Sequence, residues 1–358
     1  MSTAPTDLFL QLTPDRVLEA VETAGMPTNA VCYPLNAYEN RVYEVELADR
    51  TRVVAKFYRP QRWTAEQILE EHAFLDDLAA AEIPVCTFKP FPGGGTLREI
   101  EGIFYALMDR RGGRAPDEIT PTLAARLGRL VARIHNVGAL EPARHRLRLD
   151  ATSYIDDNLA WLEAHGTIPA PYDQPYLEAA QEVAALYEQR SRGVALQRLH
   201  GDLHLGNLLE RDGQLSVLDF DDMVTGPAVQ DVWLALPGRD RESVALRETF
   251  LDAYEELREF DRRTLGLIEP LRGLRIVHYT TWLARRWHDP FFPTAFPHFG
   301  TESYWETEIA ALTEVVAVAR GERDPAPTEN GNADDEAQEV EEPTLTNKDY
   351  FWDWEDRS

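Results

Sequence analysis

The chain has 358 residues, of which 44% are hydrophobic, and this is enough material for two packed lobes of ordinary size. Its formal net charge of −26 argues against nucleic acid and anionic membranes as principal partners, because both would repel an acidic surface. Residues 321–358 contribute strongly to this charge, with 13 acidic and 3 basic side chains. We therefore expect a protein that binds neither nucleic acid nor membrane and that carries an acidic tail.

The sequence shows no segment that predicts export or membrane insertion. No apolar run approaches the roughly 18 residues of a membrane span. The first residues lack the basic stretch and apolar core of a secretory signal. Cys32 and Cys86 are too few for a disulfide framework or a metal cluster, and they are typical of small buried residues in a reducing compartment. These features predict a cytoplasmic protein.

Residues 1–108 predict a small antiparallel sheet that carries helices. A Thr-Pro-Asp sequence at 13–15 is typical of a helix start, and this helix should end near Gly25. A second helix is expected from a cap at Thr64 to about Ala81, because apolar residues recur every three or four positions. Short apolar segments predict strands at 31–35, 41–47, 52–58, 96–100 and 103–108.

The rest of the chain differs in pattern. Residues 109–116 are polar and rich in Gly and Arg, so they predict an interlobe linker. Residues 117–320 predict a mainly helical lobe, and residues 321–358 predict a disordered tail. The expected helices lie near 123–134, 175–190, 228–236, 241–257, 264–288 and 303–320, with strand-like segments at 195–199 and 215–220. The predicted fold class is therefore α+β, with a sheet lobe followed by a helical lobe.

The strongest functional signal is a pair of polar motifs in the helical part. Asp202 and Asn207 lie five residues apart in one loop, and Asp219 ends the apolar segment 215–218. This order is typical of phosphoryl-transfer sites, where one Asp accepts the proton of the attacking hydroxyl and the Asn and the later Asp hold magnesium. In isolation each of these residues is as often a cap or a turn residue. Their combined spacing favours a base at Asp202 and a Mg²⁺ site at Asn207 and Asp219.

Three further acids near these motifs have weaker assignments. Asp221 and Asp222 could assist at the metal, but acids in a turn are at least as often simply solvated. Asp231, at the start of a predicted helix, is expected to brace the loop that contains Asp202 rather than to contact a substrate.

Lys56 lies inside an apolar strand, where a solvent-exposed edge lysine is the ordinary explanation. In a nucleotide cleft the same lysine would contact phosphates, and a carboxylate from the following helix would hold it in place. Glu70 and Glu71 lie 14 and 15 residues further on. We favour Glu71, because Leu75 and Leu78 place it beside the apolar face of the helix. Glu70 is the alternative.

His200 and His204 allow a different class of site, since a His-x-Asp-x-His sequence can bind zinc or two metals in a hydrolase. The 9 histidines of the chain form no second cluster with matching spacing. A histidine before a catalytic Asp more often fixes the shape of the loop by hydrogen bonding. The hydrolase is therefore the minor interpretation.

These residues belong to a sequence that resembles the aminoglycoside phosphotransferase and choline kinase superfamily, which shares the protein-kinase-like fold. The similarity covers roughly residues 8–320. Besides the loop at 199–207, it runs through the segments 36–43, 54–60, 62–65, 67–72, 226–233 and 266–272. The resemblance implies a bilobal fold in which ATP lies between the lobes, with its adenine near the backbone of residues 107–110.

The resemblance also implies roles for individual residues. It places the catalytic aspartates at Asp202 and Asp219, the metal ligands at Asn207 and Asp219, and the nucleotide lysine at Lys56, held by Glu71. The loop that contains Ala37 and Asn40 should bind the ATP phosphates. The family has a serine where this chain has Ala37, so phosphate contacts there must come from backbone amides.

The resemblance further implies an ATP- and Mg²⁺-dependent serine/threonine protein kinase. Such an enzyme is a cytoplasmic monomer that phosphorylates protein substrates, and is itself a phosphoprotein, under oxidative or envelope stress. A small-molecule kinase for amino-alcohol or aminoglycoside-like hydroxyls would use the same catalytic residues, so the motifs do not separate the two. A nucleotide-binding scaffold without catalysis is the third possibility. The intact catalytic set argues against it.

Overall fold

A five-stranded antiparallel sheet forms the N-terminal part of the computed structural model, which describes residue 9, residues 12–35 and residues 39–324. The strand order is β1-β2-β3-β5-β4. Two helices accompany the sheet, one before it in sequence and one after the third strand. The elements are α1 Pro14–Thr23, β1 Thr28–Leu35, β2 Arg41–Leu47, β3 Arg52–Phe57, α2 Ala65–Ala80, β4 Arg98–Ile100 and β5 Ile103–Asp109.

The alternation of side chains along β3 decides which residues face the cleft. Ala55 and Phe57 point to one face of the sheet, where they pack with Val17 and Val21 of α1. Lys56, between them, must therefore point to the opposite face, towards α2. The alternation of side chains thus places one buried cation on the cleft side of a strand whose other residues from Val53 to Phe57 are apolar.

The start of α2 is set by a capping box. Thr64 Oγ1 accepts a hydrogen bond from the Gln67 amide at 3.3 Å, and the Gln67 side chain accepts one from the Thr64 amide at 2.9 Å. Ile68, Phe74 and Leu78 then lie buried in the core. Because the cap fixes where the helix begins, it also fixes which of its side chains face the sheet and which face the helical part.

The C-terminal part is mainly helical, as predicted. Two small antiparallel pairs, β6 with β9 and β7 with β8, carry the functional loops. The elements are α3 Pro121–Gly138, α4 Asp157–Ala164, α5 Asp173–Arg190, β6 Gln197–Leu199, β7 Leu208–Arg211, β8 Gln214–Val217, β9 Val224–Gly226, α6 Val229–Ala235, α7 Arg241–Glu255, α8 Ile268–Arg286, α9 Phe291–Ala295 and α10 Glu302–Arg320. This mixed architecture confirms the predicted fold class.

The structure differs from the sequence prediction mainly in short elements. The predicted strand at 215–220 ends at Val217, because Phe220–Asp222 form a turn of 3₁₀ helix. The strands β7 and β9 and the helices α4 and α9 were not predicted, since each is too short to show a clear period. The segment predicted as a linker is anchored: Arg114 exchanges two backbone hydrogen bonds with Glu210, at 2.9 and 2.8 Å.

Two sequence predictions fall outside the described residues, namely the role of Ala37 and the order of the tail beyond residue 324. Within the described residues, none of the helices combines the length and the apolar character that crossing a bilayer requires.

Candidate active site

Lys56 lies at the centre of the candidate site. Its side chain is 5% exposed, so the interpretation as a solvated edge lysine is wrong. Three carboxylates surround Nζ, with Glu71 Oε1 at 3.3 Å, Asp219 Oδ1 at 3.2 Å and Asp221 Oδ1 at 3.2 Å. Burial by itself would lower the pKa of Lys56, but these carboxylates outweigh it and raise the pKa well above its usual value. The lysine is therefore a fixed positive charge inside the cleft.

The structure pairs Lys56 with Glu71 and not with Glu70. Successive helical residues lie about 100° apart around the axis, so the two glutamates face different surroundings. The second oxygen of Glu71 accepts a hydrogen bond from Arg146 Nη2 at 3.0 Å. Glu70 instead accepts the backbone N–H groups of residues 144–146, at 2.5, 2.9 and 2.7 Å. Burial raises the pKa of Glu71 to about 6, although Lys56 opposes the shift.

Asp219 occupies a sharp turn after β8. Its backbone is left-handed, with φ 55° and ψ 74°, a conformation that non-glycine residues adopt rarely and mostly at functional sites. The turn directs the carboxylate to Lys56 while 54% of the side chain stays exposed to the cleft. Asp219 is thus both held by the lysine and accessible to a ligand.

Asp221, two residues further on, contradicts the expectation of a solvated turn acid. It is buried and forms ion pairs with Lys56 and with Arg62. Asp222 is half-exposed and accepts a hydrogen bond from Arg62 Nη2 at 2.5 Å. The expectation was wrong for Asp221 because Lys56 and Arg62, at least 159 residues earlier in the chain, both reach this turn. Burial would raise its pKa, but Lys56 and Arg62 hold it well below the usual range.

The loop 200–207 and the turn at Asp219 lie side by side. The Asn207 side-chain amide donates to the Asp202 carbonyl oxygen at 2.9 Å. The Leu218 amide donates to the Asn207 carbonyl oxygen at 2.9 Å. In the β7–β8 pair Leu208 is opposite Val217, so Asn207 and Asp219 lie at the same end of this hairpin. The structure brings these three predicted residues together, and their chemical roles stay predictions.

Asp231 braces the loop, which confirms its predicted place. Its carboxylate accepts the backbone N–H groups of His200 at 3.0 Å and Gly201 at 2.9 Å. Nε2 of His135, a residue the sequence did not single out, donates to the same carboxylate at 3.0 Å. His200 Nε2 donates to the Leu218 carbonyl oxygen at 2.8 Å. His200 therefore fixes the shape of the loop and is not oriented as a metal ligand.

Asn207 and Asp219 suit a hard divalent cation, because amide and carboxylate oxygens are the donors that Mg²⁺ accepts. Within residues 12–35 and 39–324, no group of three or more His, Cys, Asp or Glu side chains could hold a metal ion. A cation here would complete its shell with the phosphate oxygens of a nucleotide and with water, as Mg²⁺ commonly does in kinases.

The loop before β2 is tied to the rest of the site through side chains. Asn40 is buried, and its Oδ1 accepts the Arg59 amide at 3.2 Å. The predicted phosphate contact of this loop stays a prediction.

The predicted adenine segment has one backbone group that is engaged elsewhere. The Leu107 carbonyl oxygen accepts a hydrogen bond from the Lys89 amide at 2.6 Å. That carbonyl is therefore already used within the protein.

Sequence reasoning missed a set of ion pairs and hydrogen bonds that joins the sheet lobe to α8 and to the residues just after it. Glu39 accepts hydrogen bonds from Trp282 Nε1 at 2.7 Å and from Arg286 Nε and Nη2 at 2.8 and 2.7 Å. Arg59 lies 3.3 Å from Asp289. These partners are at least 230 residues apart, so no local spacing could reveal them.

Arg275 is another residue that sequence reasoning missed. From α8 its Nη1 donates to Asp202 Oδ1 at 2.9 Å, and His204 Nε2 lies 3.5 Å from the other oxygen. Burial would raise the pKa of Asp202, but Arg275 and His204 outweigh it and hold the pKa well below its usual range. The carboxylate is therefore ionised at neutral pH, which is the form that a proton acceptor requires.

The sheet lobe, the helical lobe and the charged cleft between them define a phosphotransferase with a protein-kinase-like fold. Residues 32–267 match the phosphotransferase enzyme family, and the chain belongs to it. It is 40% identical over 311 residues to stress response kinase A of Escherichia coli strain K12, a match that covers 87% of this chain and 94% of the relative.

Two other similarities agree with this assignment. The chain is 39% identical over 307 residues to the serine/threonine protein kinase RdoA of Salmonella typhimurium strain LT2, covering 86% of this chain and 93% of that one. Its fold is similar to that of amicoumacin kinase hAmiN, solved in complex with AMP-PNP, Ca²⁺ and Ami. The TM-score is 0.69 at 18% identity, over 87% of this chain and 96% of that one. At this identity the similarity shows the fold alone.

Replacement of Gly201 tests how closely the loop 200–207 packs against the turn that contains Asp222. Its φ is 87°, and an added Cβ would lie 2.1 Å from the Asp222 carbonyl oxygen. We expect Gly201→Ala to displace the loop and to lower kcat by about 100-fold, as misplacement of a catalytic group does. Gly213, in the β7–β8 turn, is the matched control, since its φ is also positive at 77° but no atom lies within 4 Å of an added Cβ.

Gly213→Ala should cost only the backbone strain of about 1 kcal/mol and leave kcat unchanged. Steady-state turnover and thermal unfolding of both variants provide the measurement. Equal activity of the two alanine variants would contradict this account of the loop.

Proposed function

We propose that the protein transfers the γ-phosphoryl group of ATP, bound together with Mg²⁺, to Ser and Thr hydroxyls of proteins. The observation that carries phosphoryl transfer is the meeting of Lys56, Asp202 and Asp219 in one cleft between the lobes. The protein acceptor is supported by the relatives at 39–40% identity, one of which is named a serine/threonine protein kinase.

Each residue of the cleft would have a separate role in the reaction. Lys56, steadied by Glu71, would contact the phosphates of the nucleotide. Asn207 and Asp219 would hold Mg²⁺, which neutralises negative charge on the phosphates when bound. Lys56 and Asp219 are in contact at 3.2 Å, so nucleotide binding would let the ammonium turn to phosphate while the Asp219 carboxylate turns to the cation.

Asp202 would act on the acceptor. The acceptor oxygen bonds to the γ-phosphorus, the bond from that phosphorus to the β–γ bridging oxygen breaks, and ADP leaves. The proton of the acceptor hydroxyl passes to the Asp202 carboxylate. Catalysis would come mainly from positioning and charge neutralisation, since no covalent intermediate with the protein is needed.

We also propose a biological setting from the same relatives. Two of them are named for a stress response or for serine/threonine phosphorylation, and the match spans over nine tenths of each. On this basis the protein would act as a cytoplasmic monomer during oxidative or envelope stress, with protein substrates as its partners.

A small-molecule kinase is the second candidate. The observation that favours it is the similarity of the fold to amicoumacin kinase hAmiN, whose solved complex contains Ami beside AMP-PNP. This support lies at the level of fold, where one scaffold serves many acceptors. It is weaker than sequence identity of 40% to a named kinase.

One labelling experiment separates the two candidates. The purified protein is incubated with γ-labelled ATP and Mg²⁺, with itself, a generic basic protein, a generic acidic protein and a panel of amino alcohols and aminoglycosides as acceptors. We expect label on protein Ser or Thr. EDTA should abolish the labelling and excess Mg²⁺ should restore it. Label found only on a metabolite would contradict the protein acceptor.

A further inference from the structure

We propose that a chain of three hydrogen-bonded side chains positions Lys56 for the nucleotide, and that the loop at the outer end of this chain sets the affinity for ATP. The three side chains are those of Tyr58, His72 and Thr96. The inference rests on the proposed function, in which Lys56 contacts the phosphates. Each of the three acts through another group and is a positioning residue, because none of them is expected to touch a substrate.

Tyr58 is the member of this chain that meets Lys56. Its amide donates to the Phe104 carbonyl oxygen at 2.9 Å, which continues the pairing of β3 with β5 by one residue. Because alternate residues of an extended strand point to the same face, the Tyr58 side chain lies beside that of Lys56. Lys56 Nζ is 5.0 Å from the centroid of the Tyr58 ring, which is within the range of a cation–π contact. The ring is therefore a fourth group around the ammonium, besides the three carboxylates.

His72 fixes the orientation of this ring. Its Nε2 lies 2.9 Å from the Tyr58 hydroxyl, and its Nδ1 lies 2.7 Å from Thr96 Oγ1. The imidazole is buried and stacks on Phe88, with ring centroids 3.8 Å apart. Both ring nitrogens of His72 are thus hydrogen-bonded, and the ring is held from both sides.

The protonation state of His72 couples the two hydrogen bonds. Burial and the charges of Lys56 and Arg146 lower the pKa of His72 to about 3. Burial also raises the pKa of Tyr58 well above its usual value, so both side chains are neutral at physiological pH. A neutral imidazole has one N–H donor and one acceptor nitrogen. One hydroxyl must therefore donate to the ring and the other must accept from it, so the role of Thr96 decides the role of Tyr58.

Thr96 is the outer end of the chain. It is half-buried and follows three glycines, at 93–95, with positive φ angles of 86°, 94° and 76°. Arg98 braces this segment, because its Nη2 donates to two backbone carbonyl oxygens just before Thr96, at 3.1 and 3.2 Å. An added Cβ at Gly94 would meet no atom within 4 Å, so this part of the loop is open. Thr96 therefore connects an open surface loop to the candidate site.

This arrangement links the loop to nucleotide binding. His72 directly follows Glu71 in α2, so adjacent residues of one helix hold the ion-pair partner of Lys56 and the ring beside Lys56. If one hydrogen bond of the chain is lost, the Tyr58 ring can tilt away from the ammonium. The three carboxylates still neutralise Lys56, which keeps its charge but is placed less accurately for a phosphate. We therefore expect weaker ATP binding in a protein that remains folded.

Isothermal titration of the full chain with a non-hydrolysable ATP analogue and Mg²⁺ tests the inference. Tyr58→Phe keeps the ring and removes the hydroxyl, and its Kd should rise about tenfold, as loss of one buried hydrogen bond allows. Tyr105→Phe is the matched control, because Tyr105 is also a buried tyrosine of the sheet lobe and donates to the Ala20 carbonyl oxygen of α1 at 3.1 Å. It should lose a similar amount of thermal stability while its Kd stays unchanged.

The outer end of the chain is tested in the same way. Thr96→Val should raise the Kd about threefold, as loss of one neutral hydrogen bond at a half-buried site allows. Thr28→Val is its control, because Thr28 is also half-buried in the sheet lobe and its hydroxyl donates to Glu22 Oε1 at 2.7 Å. The Kd of the control should equal that of the wild type.

Two variants of His72 separate hydrogen bonding from packing. His72→Gln and His72→Leu both lose the stacking on Phe88, but glutamine can still bond to the Tyr58 hydroxyl. We expect His72→Gln to bind the analogue more tightly. Equal Kd values for these two variants, or for Tyr58→Phe and Tyr105→Phe, would overturn the inference while leaving the proposed function intact. If the wild type does not bind the analogue, the inference and the proposed function fail together.

Discussion

Replacing Asp202 with asparagine should reduce phosphoryl transfer by about 10²–10⁴-fold while ATP binding stays unchanged. The amide has the size of the carboxylate and can still accept the hydrogen bond from Arg275, but it cannot take the proton of the acceptor hydroxyl. Single-turnover phosphoryl transfer measures the loss, and isothermal titration with an ATP analogue measures the binding.

The matched control for this variant is Asp212→Asn. Asp212 lies in the turn between β7 and β8, is 91% exposed at its side chain, and has a positive φ of 51° that asparagine tolerates well. Its turnover should equal that of the wild type. Near-normal turnover in Asp202→Asn would show that another group accepts the proton.

Replacing Lys56 with methionine should abolish both ATP binding and turnover and should also destabilise the fold. Methionine removes the cation that contacts Glu71, Asp219 and Asp221 and leaves two of these carboxylates buried. Breaking a buried ion pair from one side costs about 3–5 kcal/mol. Urea unfolding measures the loss of stability, and nucleotide titration measures the loss of binding.

A second-site variant separates the two effects of Lys56→Met. In Lys56→Met/Glu71→Gln one of the two buried carboxylates that have lost Lys56 is replaced by a neutral amide, whose oxygen can still accept the hydrogen bond from Arg146, so part of the lost stability should return. Turnover should not return, because the nucleotide contact is still missing. If the double variant is no more stable than the single one, the buried charge of Glu71 without Lys56 is not a cause of the lost stability.

Much of the fold follows from local patterns. The start of α2 was predicted from Thr64, and the capping box with Gln67 explains why the boundary was accurate. The preference for Glu71 over Glu70 also came from local information, because the phase of a helix relative to its apolar face decides which side chain turns inward. The loop residues Asp202, Asn207 and Asp219 were found from the types and spacing of the residues that such chemistry needs.

The residues of the site that the sequence did not predict depend on contacts between segments far apart in the chain. Arg275 meets Asp202 over 73 residues of sequence, and Arg286 meets Glu39 over 247. Helical and strand periods carry no information at such separations. Asp221 was misjudged for the same reason, since its burial depends on the approach of Arg62 from 159 residues away. An isolated turn acid is normally solvated, and only the tertiary structure supplies its cations.

Residues 144–146, which lie outside the sheet lobe, hold α2 in place. Their backbone N–H groups donate hydrogen bonds to Glu70, and the Arg146 side chain donates one to Glu71. A fragment cut after residue 116 would keep both glutamates but lose these partners, and Lys56 would lose two of its three carboxylates. The apolar face of α2 would lose the helical neighbours against which it packs. We expect neither lobe to fold without the other. The two lobes therefore form a single folding unit, and the cleft lies at the interface between them.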